Sequence, residues 1–426
     1  MDHFVYQRGE LYCEQVPVRR IADEVGTPVY VYSQRTFLDH YVRVREAFAE
    51  LNPIICFSVK CCQNIHICRL LAGQGAGFDV VSGGELFRAL TAGADPSKIV
   101  YAGAGKTDAE IHQAIEAGIG WFNIESEPEL ENLQRLAAAR GTRVRAALRI
   151  NPDVDPRTHV YTTTGKKETK FGVDLERARR TFEQYGGQPN VHLCGLHLHI
   201  GSPVNTVEPY VEAVSRAVAL SAQLRQAGFE IDTLDIGGGF GADYEVEQAP
   251  DAADYADAVI PLLRGTGLRV LMEPGRSIAA NAGILVGKVL FVKQSGTKKF
   301  VIVDAAMTDL IRPALYQARH FAWPVCPGEG YCPPARKFDL RLPGTVEVDI
   351  VGPVCESSDF LAKDRYLPPL ARDEYVAVFT TGAYGFVMSS QYNSRPRAPE
   401  VLVAGDSYRV IRRRETYEDL IAAERL

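Results

Sequence analysis

The sequence predicts an α/β architecture joined to an all-β one: a (β/α)8 TIM barrel followed by a C-terminal β-barrel or sandwich domain. Three observations carry this. Eight short apolar runs, rich in β-branched and aromatic residues, alternate with segments whose apolar spacing is near 3.6. Together they occupy a length that suits such a barrel, roughly 250 residues. Beyond the eighth run the texture changes to short strand-like stretches broken by glycine and proline.

The first run, Pro53 to Val59, ends on Lys60. The second is Gly77 to Ser82, the third Ile99 to Gly103 and the fourth Trp121 to Ser126. The fifth is Arg145 to Asn151, the sixth His192 to Ile200, the seventh Thr233 to Ile236 and the eighth Leu268 to Glu273. Helical periodicity appears between them, at Gly84 to Ala92, Thr107 to Gly118, Glu127 to Ala139 and Pro209 to Ala227. Eight strands each followed by a helix is the arithmetic of the barrel. A doubly wound sheet would carry a G-x-G-x-x-G turn after an early strand, and none is present. Strand-like runs at 284–286, 300–303, 346–350 and 375–379 mark the second domain. The expected division is therefore a barrel over 35–282 and a β-domain over 1–34 plus 283–426.

Composition narrows the function. The 426 residues are 46% hydrophobic and 23% charged, as in ordinary globular proteins. A net charge of −6 argues against a nucleic-acid or anionic-membrane surface. No apolar run approaches a membrane span and the N-terminus starts no signal peptide, so the expected location is cytoplasmic. Nine cysteines lie scattered without close C-x-x-C pairing; Cys326 and Cys332, with His320 nearby, are the one alternative for a metal, but reduced free thiols are favoured and no metal is expected.

Chemistry in this barrel sits at the C-terminal ends of the strands. Read in order, those ends present Lys60, then Asp79 and Ser82, then His199 and Ser202, then Gly237-Gly238-Gly239, then Glu273 with Arg276. A lysine closing an apolar strand is costly unless its charge is paired or its amine neutral, and a desolvated amine suits covalent catalysis. A glycine triplet lets backbone N–H groups approach a phosphate, helped by a following helix N-terminus. Ser202 adds a further donor. An ionised Glu273 holds a proton on a pyridine nitrogen, and His199 is placed to stack on a ring. All of these are roles around one ligand, pyridoxal 5'-phosphate.

With these residues in view, the chain resembles the fold-type III pyridoxal-phosphate decarboxylases over nearly its whole length. The resemblance rests on Phe57 to Lys60, Phe78 to Glu85, Lys170 to Gly172, Gly195 to Ser202 and Leu234 to Gly241. It continues through Glu273 to Arg276, Asp309 to Tyr316, Cys355 to Asp359 and Gly382 to Phe386. It implies a homodimer with active sites shared across the interface. It further implies that Lys60 carries the cofactor covalently, that His199 stacks on the ring and that Glu273 meets the ring nitrogen. Asp79, Gly275 and Arg276 join the cofactor site, with Gly237, Gly238, Gly239, Ser202 and Tyr384 on the phosphate. Cys355, supplied by the neighbouring subunit, would reprotonate the product.

The same resemblance places Arg276, Arg312, Tyr316 and Tyr384 on the substrate and Glu356 on its distal ammonium. Two guanidinium groups would repel a substrate ending in an ammonium alone, but they suit one that also ends in a carboxylate. That favours meso-2,6-diaminopimelate going to L-lysine and CO2. A related decarboxylase acting on another amino dicarboxylic or carrier-linked substrate stays open, as does a non-catalytic carrier of the cofactor. One departure stands out: Cys61-Cys62 follow the lysine where many members of the family have Ala-Asn, and Gln63 or Asn64 is left to cover the missing amide.

Overall fold

In the computed structural model the described residues are 2–155, 170–245 and 249–425. All eight predicted runs form strands: Ile54–Ser58, Gly77–Val80, Ile99–Tyr101, Trp121–Ile124, Val144–Asn151, Val191–Leu198, Thr233–Asp235 and Arg269–Met272. Each pairs in parallel with the next. The eighth returns to the first through Leu271↔Ile54 and Met272↔Ile55, which closes the barrel. The strands read as near-continuous apolar runs because a parallel barrel buries both of their faces. Phe57, Phe78, Val100, Phe122, Leu148, Leu196, Leu234 and Met272 are all buried.

Side-chain caps start the helices between the strands. Asn64 accepts from His66 N–H at the head of Ile65–Ala72, and Ser82 accepts from Glu85 N–H at the head of Gly83–Thr91. Thr107 and Glu110 form a reciprocal capping box on Asp108–Ala117. Ser126 caps Glu127–Ala139, and Asp174 caps Leu175–Tyr185. The helix expected after every strand is cut short at the eighth. There Pro274 and Gly275 interrupt the chain and only a four-residue helix, Arg276–Ala279, follows. A fourteen-residue helix, Gln34–Ala47, precedes the first strand instead.

The chain divides into two compact units. One runs from His40 to Gly241 and resumes from Ala249 to Ser277; it holds the barrel. The other takes the N-terminal segment to Asp39, a short excursion starting at Ala242, and the chain from Ile278 onward. Its organising element is the long strand Gly283–Ser295. The first half of that strand pairs with Val29–Ser33 and Tyr375–Val378, the second half with Lys298–Val303. Further pairings add Val346–Val351 and Phe360–Leu367 on one side, Glu400–Ala404 and Ser407–Arg412 on the other. Tyr30, Tyr32, Phe321, Trp323 and Phe379 fill the core of this unit. No helix among the described residues is long and apolar enough to cross a membrane.

Candidate active site

Lys60 emerges where the first strand ends, in the turn Val59–Cys61. Its amine does not simply run out into water but finds a partner. Nζ lies 2.6 Å from Oδ2 of Asp79, a carboxylate with no exposure at all. The hydroxyl of Ser58 donates to the same oxygen. Oδ1 of Asp79 is buried with no hydrogen-bond partner among the described atoms. The lysine side chain keeps one third of its surface exposed, so the amine is held by an ion pair and still reachable.

The Cys61-Cys62 departure also finds its place. Both cysteines are buried, and a Cβ built on Gly275 would lie 3.2 Å from Cys61 Sγ and 2.8 Å from Ser58 Cβ. Gly275 is thus the small residue against which the Cys61 thiol packs. Asn64 spends its amide oxygen on the following helix, and Gln63 offers its carbonyl to Arg88.

The glycine triplet after the seventh strand is dictated by crowding. A Cβ at Gly237 would lie 2.0 Å from Leu198 O, at Gly238 2.0 Å from Glu273 O and at Gly239 2.0 Å from Gly201 O. Gly237 and Gly239 also take positive φ, which favours glycine. Not every amide of the triplet faces outward, however. Gly237 N–H donates to Asp235 Oδ1 at 2.9 Å, and Gly238 N–H to His199 Nδ1 at 3.4 Å. Nor does a helix follow directly; the next begins at Ala252. We expect Gly238→Ala to destabilise the barrel by about 1–3 kcal/mol through overpacking, read as a lower denaturant midpoint. An unchanged midpoint would contradict this packing.

His199 is half-buried just past its strand. Burial first, then the charges of Arg149 and Lys60, hold its pKa well below the ordinary imidazole value. With Nδ1 accepting from Gly238, its proton sits on Nε2 and the ring is neutral. Ser202 and Arg276 meet each other, Arg276 Nε donating to Ser202 Oγ at 3.1 Å. Glu273, only 3% exposed, accepts from Asn123 Nδ2 at 3.1 Å and lies 3.4 Å from His197 Nε2. Burial, then the charge of Asp79, push Glu273 up to about 8. Burial pushes His197 down to about 4, so its approach to Glu273 is not an ion pair at neutral pH.

Sequence reasoning does not single out Asn123, Glu125, Arg149 or Asp235, yet all four stand in the same interior and all are buried. Arg149 Nη1 lies 2.7 Å from Glu125 Oε1. Burial raises the Glu125 pKa, but Arg149 outweighs it and holds the carboxyl below its ordinary value. Removing the guanidinium alone strands a buried carboxylate. Arg149→Met is therefore expected to cost about 3–5 kcal/mol in a denaturant titration, and a midpoint like that of the wild type would refute this.

These residues fit pyridoxal phosphate. A carboxyl buried on one side suits a ring nitrogen, a neutral imidazole suits a ring face, and a paired but accessible lysine suits a covalent link. The glycine turn beside Ser202 leaves no room for side chains where a phosphate would approach.

Five predicted residues belong to the other unit. Arg312 is buried in the short helix Arg312–Tyr316, its Nη1 2.5 Å from Tyr244 Oη and its Nε without a hydrogen-bond partner. Tyr316 is half-buried, and Tyr384 takes a left-handed φ of 56°. Cys355 is exposed rather than packed away; its N–H and its Sγ approach Asn393 Oδ1 at 3.2 and 3.3 Å. Glu356 is also exposed and accepts from Tyr392 Oη at 2.6 Å.

Comparison with known proteins agrees with this chemistry. The family model for the pyridoxal binding domain of pyridoxal-dependent decarboxylases matches residues 34–280. A diaminopimelate decarboxylase from Aquifex aeolicus is 46% identical over 417 residues, covering 98% of this chain and 96% of that one. One from Pseudomonas aeruginosa is 46% identical over 426 residues, covering 100% and 99%. The crystal structure of diaminopimelate decarboxylase from Helicobacter pylori complexed with L-lysine superposes with a TM-score of 0.89 at 38% identity, covering 96% of this chain and 99% of that one.

Proposed function

Because the chain belongs to the pyridoxal-dependent decarboxylases, and among them to the diaminopimelate decarboxylase family, we propose that it converts meso-2,6-diaminopimelate to L-lysine and CO2. The observation that supports this best is the barrel interior itself. An accessible lysine paired with a fully buried aspartate, a neutral imidazole and a buried carboxyl stand on strand ends around a turn that admits only glycine.

Bound pyridoxal phosphate supplies the electron sink that accepts the electron pair left when CO2 departs. Lys60 would hold the cofactor covalently, and Asp79 would pair with the Lys60 ammonium when the substrate amine takes its place. Glu273 keeps a proton on the ring nitrogen, since a cation beside it favours its ionised form. His199 covers a ring face with its uncharged imidazole. Gly239 and Ser202 lead on the phosphate, given that the amides of Gly237 and Gly238 already have internal acceptors.

Arg276, Arg312 and Tyr316 meet the distal carboxylate and Glu356 the distal ammonium, while Tyr384 serves phosphate and substrate. Arg312 offers a guanidinium that is buried yet not fully hydrogen-bonded, which suits a carboxylate. We assign the reprotonating acid to Cys355 of a second copy in a homodimer, and the surface position of Cys355 and Glu356 suits that arrangement. Nine cysteines without a disulfide among the described residues fit a cytoplasmic protein.

The test is CO2 release from meso-diaminopimelate, L-lysine and L-ornithine in parallel. Only the first is expected to turn over, and Arg312→Met should raise its KM about 10–100-fold, the worth of a charge-assisted hydrogen bond. Ornithine decarboxylated as fast as diaminopimelate would send the reading to a related decarboxylase.

A further inference from the structure

Among the described residues, two carboxyls of the barrel interior, Asp235 and Glu273, form no ion pair with a lysine or arginine. Asp79 is answered by Lys60 and Glu125 by Arg149. Asp235 and Glu273 share only the amide of Asn123, whose Nδ2 donates to Asp235 Oδ2 and to Glu273 Oε1, each at 3.1 Å. Ligand-type atoms of Asp235, Glu273 and His197 all lie within 4.8 Å of one another, and all three residues are buried. His197 brings no charge, and neither of its ring nitrogens has a hydrogen-bond partner. His199 is likewise neutral. Two carboxylates this close in a dry interior do not both ionise.

We propose that Asp235 is a positioning residue that stays protonated at neutral pH and hydrogen-bonds Glu273, so that Glu273 is the member of the pair that ionises against the cofactor ring. The asymmetry has a structural source. Burial and the charge of Asp79 raise Glu273 too, to about 8, but it lies at the end of its strand, where Lys60 and Arg149 oppose that rise. Asp235 is fully buried beneath the glycine turn, where the lack of water, then the charge of Glu273, drive its pKa well above the ordinary range. Asn123 orients both groups through its two N–H donors. The inference rests on Glu273 being the ring-nitrogen partner.

The experiment uses the full-length protein without cofactor or substrate, so its failure would leave the decarboxylase reading standing. Infrared difference spectra between wild type and Asp235→Asn at neutral pH are expected to show the loss of one protonated-acid carbonyl band. The proton sits on the folded state and not on the unfolded one. The stability this group contributes is therefore present below the unfolded aspartate range, about pH 4, and lost as pH rises above it. Accordingly the folding constant of wild type should fall relative to Asp235→Asn by about tenfold per pH unit through neutrality. Carbon-13 labelling of the aspartates in wild type reads the same proton without a substitution, should the variant fail to fold. A carboxylate signal for Asp235 at neutral pH overturns the proposal. So does metal analysis finding a stoichiometric ion on His197, Asp235 and Glu273.

Discussion

Lys60→Ala is expected to lose turnover by about 10⁴-fold or more, the scale on which deleting a covalent residue acts, together with the cofactor's bound absorbance. Nothing else at the described ends of the eight barrel strands combines a reachable amine with a buried counter-charge. The substitution also leaves Asp79 without its cation, so a failed assay by itself would be ambiguous. Lys60→Arg separates the two effects. Arginine keeps a positive charge opposite Asp79 but has no amine that deprotonates for covalent chemistry. Lys60→Arg should unfold at nearly the wild-type denaturant concentration and be inactive. A Lys60→Arg protein that still turns over would remove the lysine from the mechanism.

The second large effect is expected at Glu273. Glu273→Gln retains the shape and a hydrogen-bonding oxygen but can no longer become an anion beside the ring nitrogen. The loss falls on the step in which charge develops, so kcat should drop about 10²–10³-fold with KM little changed. Steady-state kinetics with saturating cofactor reads this directly. A kcat within a few-fold of wild type would mean the ring nitrogen does not depend on this carboxyl.

Much of this site is legible in the sequence because barrel chemistry concentrates at strand ends, and strand ends are where apolar runs stop. Lys60, Asp79, His199, the glycine triplet and Glu273 are all found that way. What stays hidden depends on register across the barrel. Asn123 meets Asp235 and Glu273 across separations of 112 and 150 residues, and no local pattern shows which of their side chains share an interior face. A signal does exist, since Asn123, Arg149 and Asp235 are polar residues inside otherwise apolar runs, and a buried polar group needs a partner. The internal use of the Gly237 and Gly238 amides is also out of reach, because it follows from how the seventh strand turns. The shortened eighth helix is different: Pro274-Gly275 announces it, but the periodic alternation of the barrel outweighs so short a signal.

The central claim is tested most directly by incubating purified protein with meso-diaminopimelate, with and without added pyridoxal phosphate, and measuring CO2 and L-lysine together. One L-lysine should form for each CO2 released, dependent on the cofactor and absent in Lys60→Ala. A protein that binds pyridoxal phosphate on Lys60 yet releases no CO2 from this substrate would contradict it.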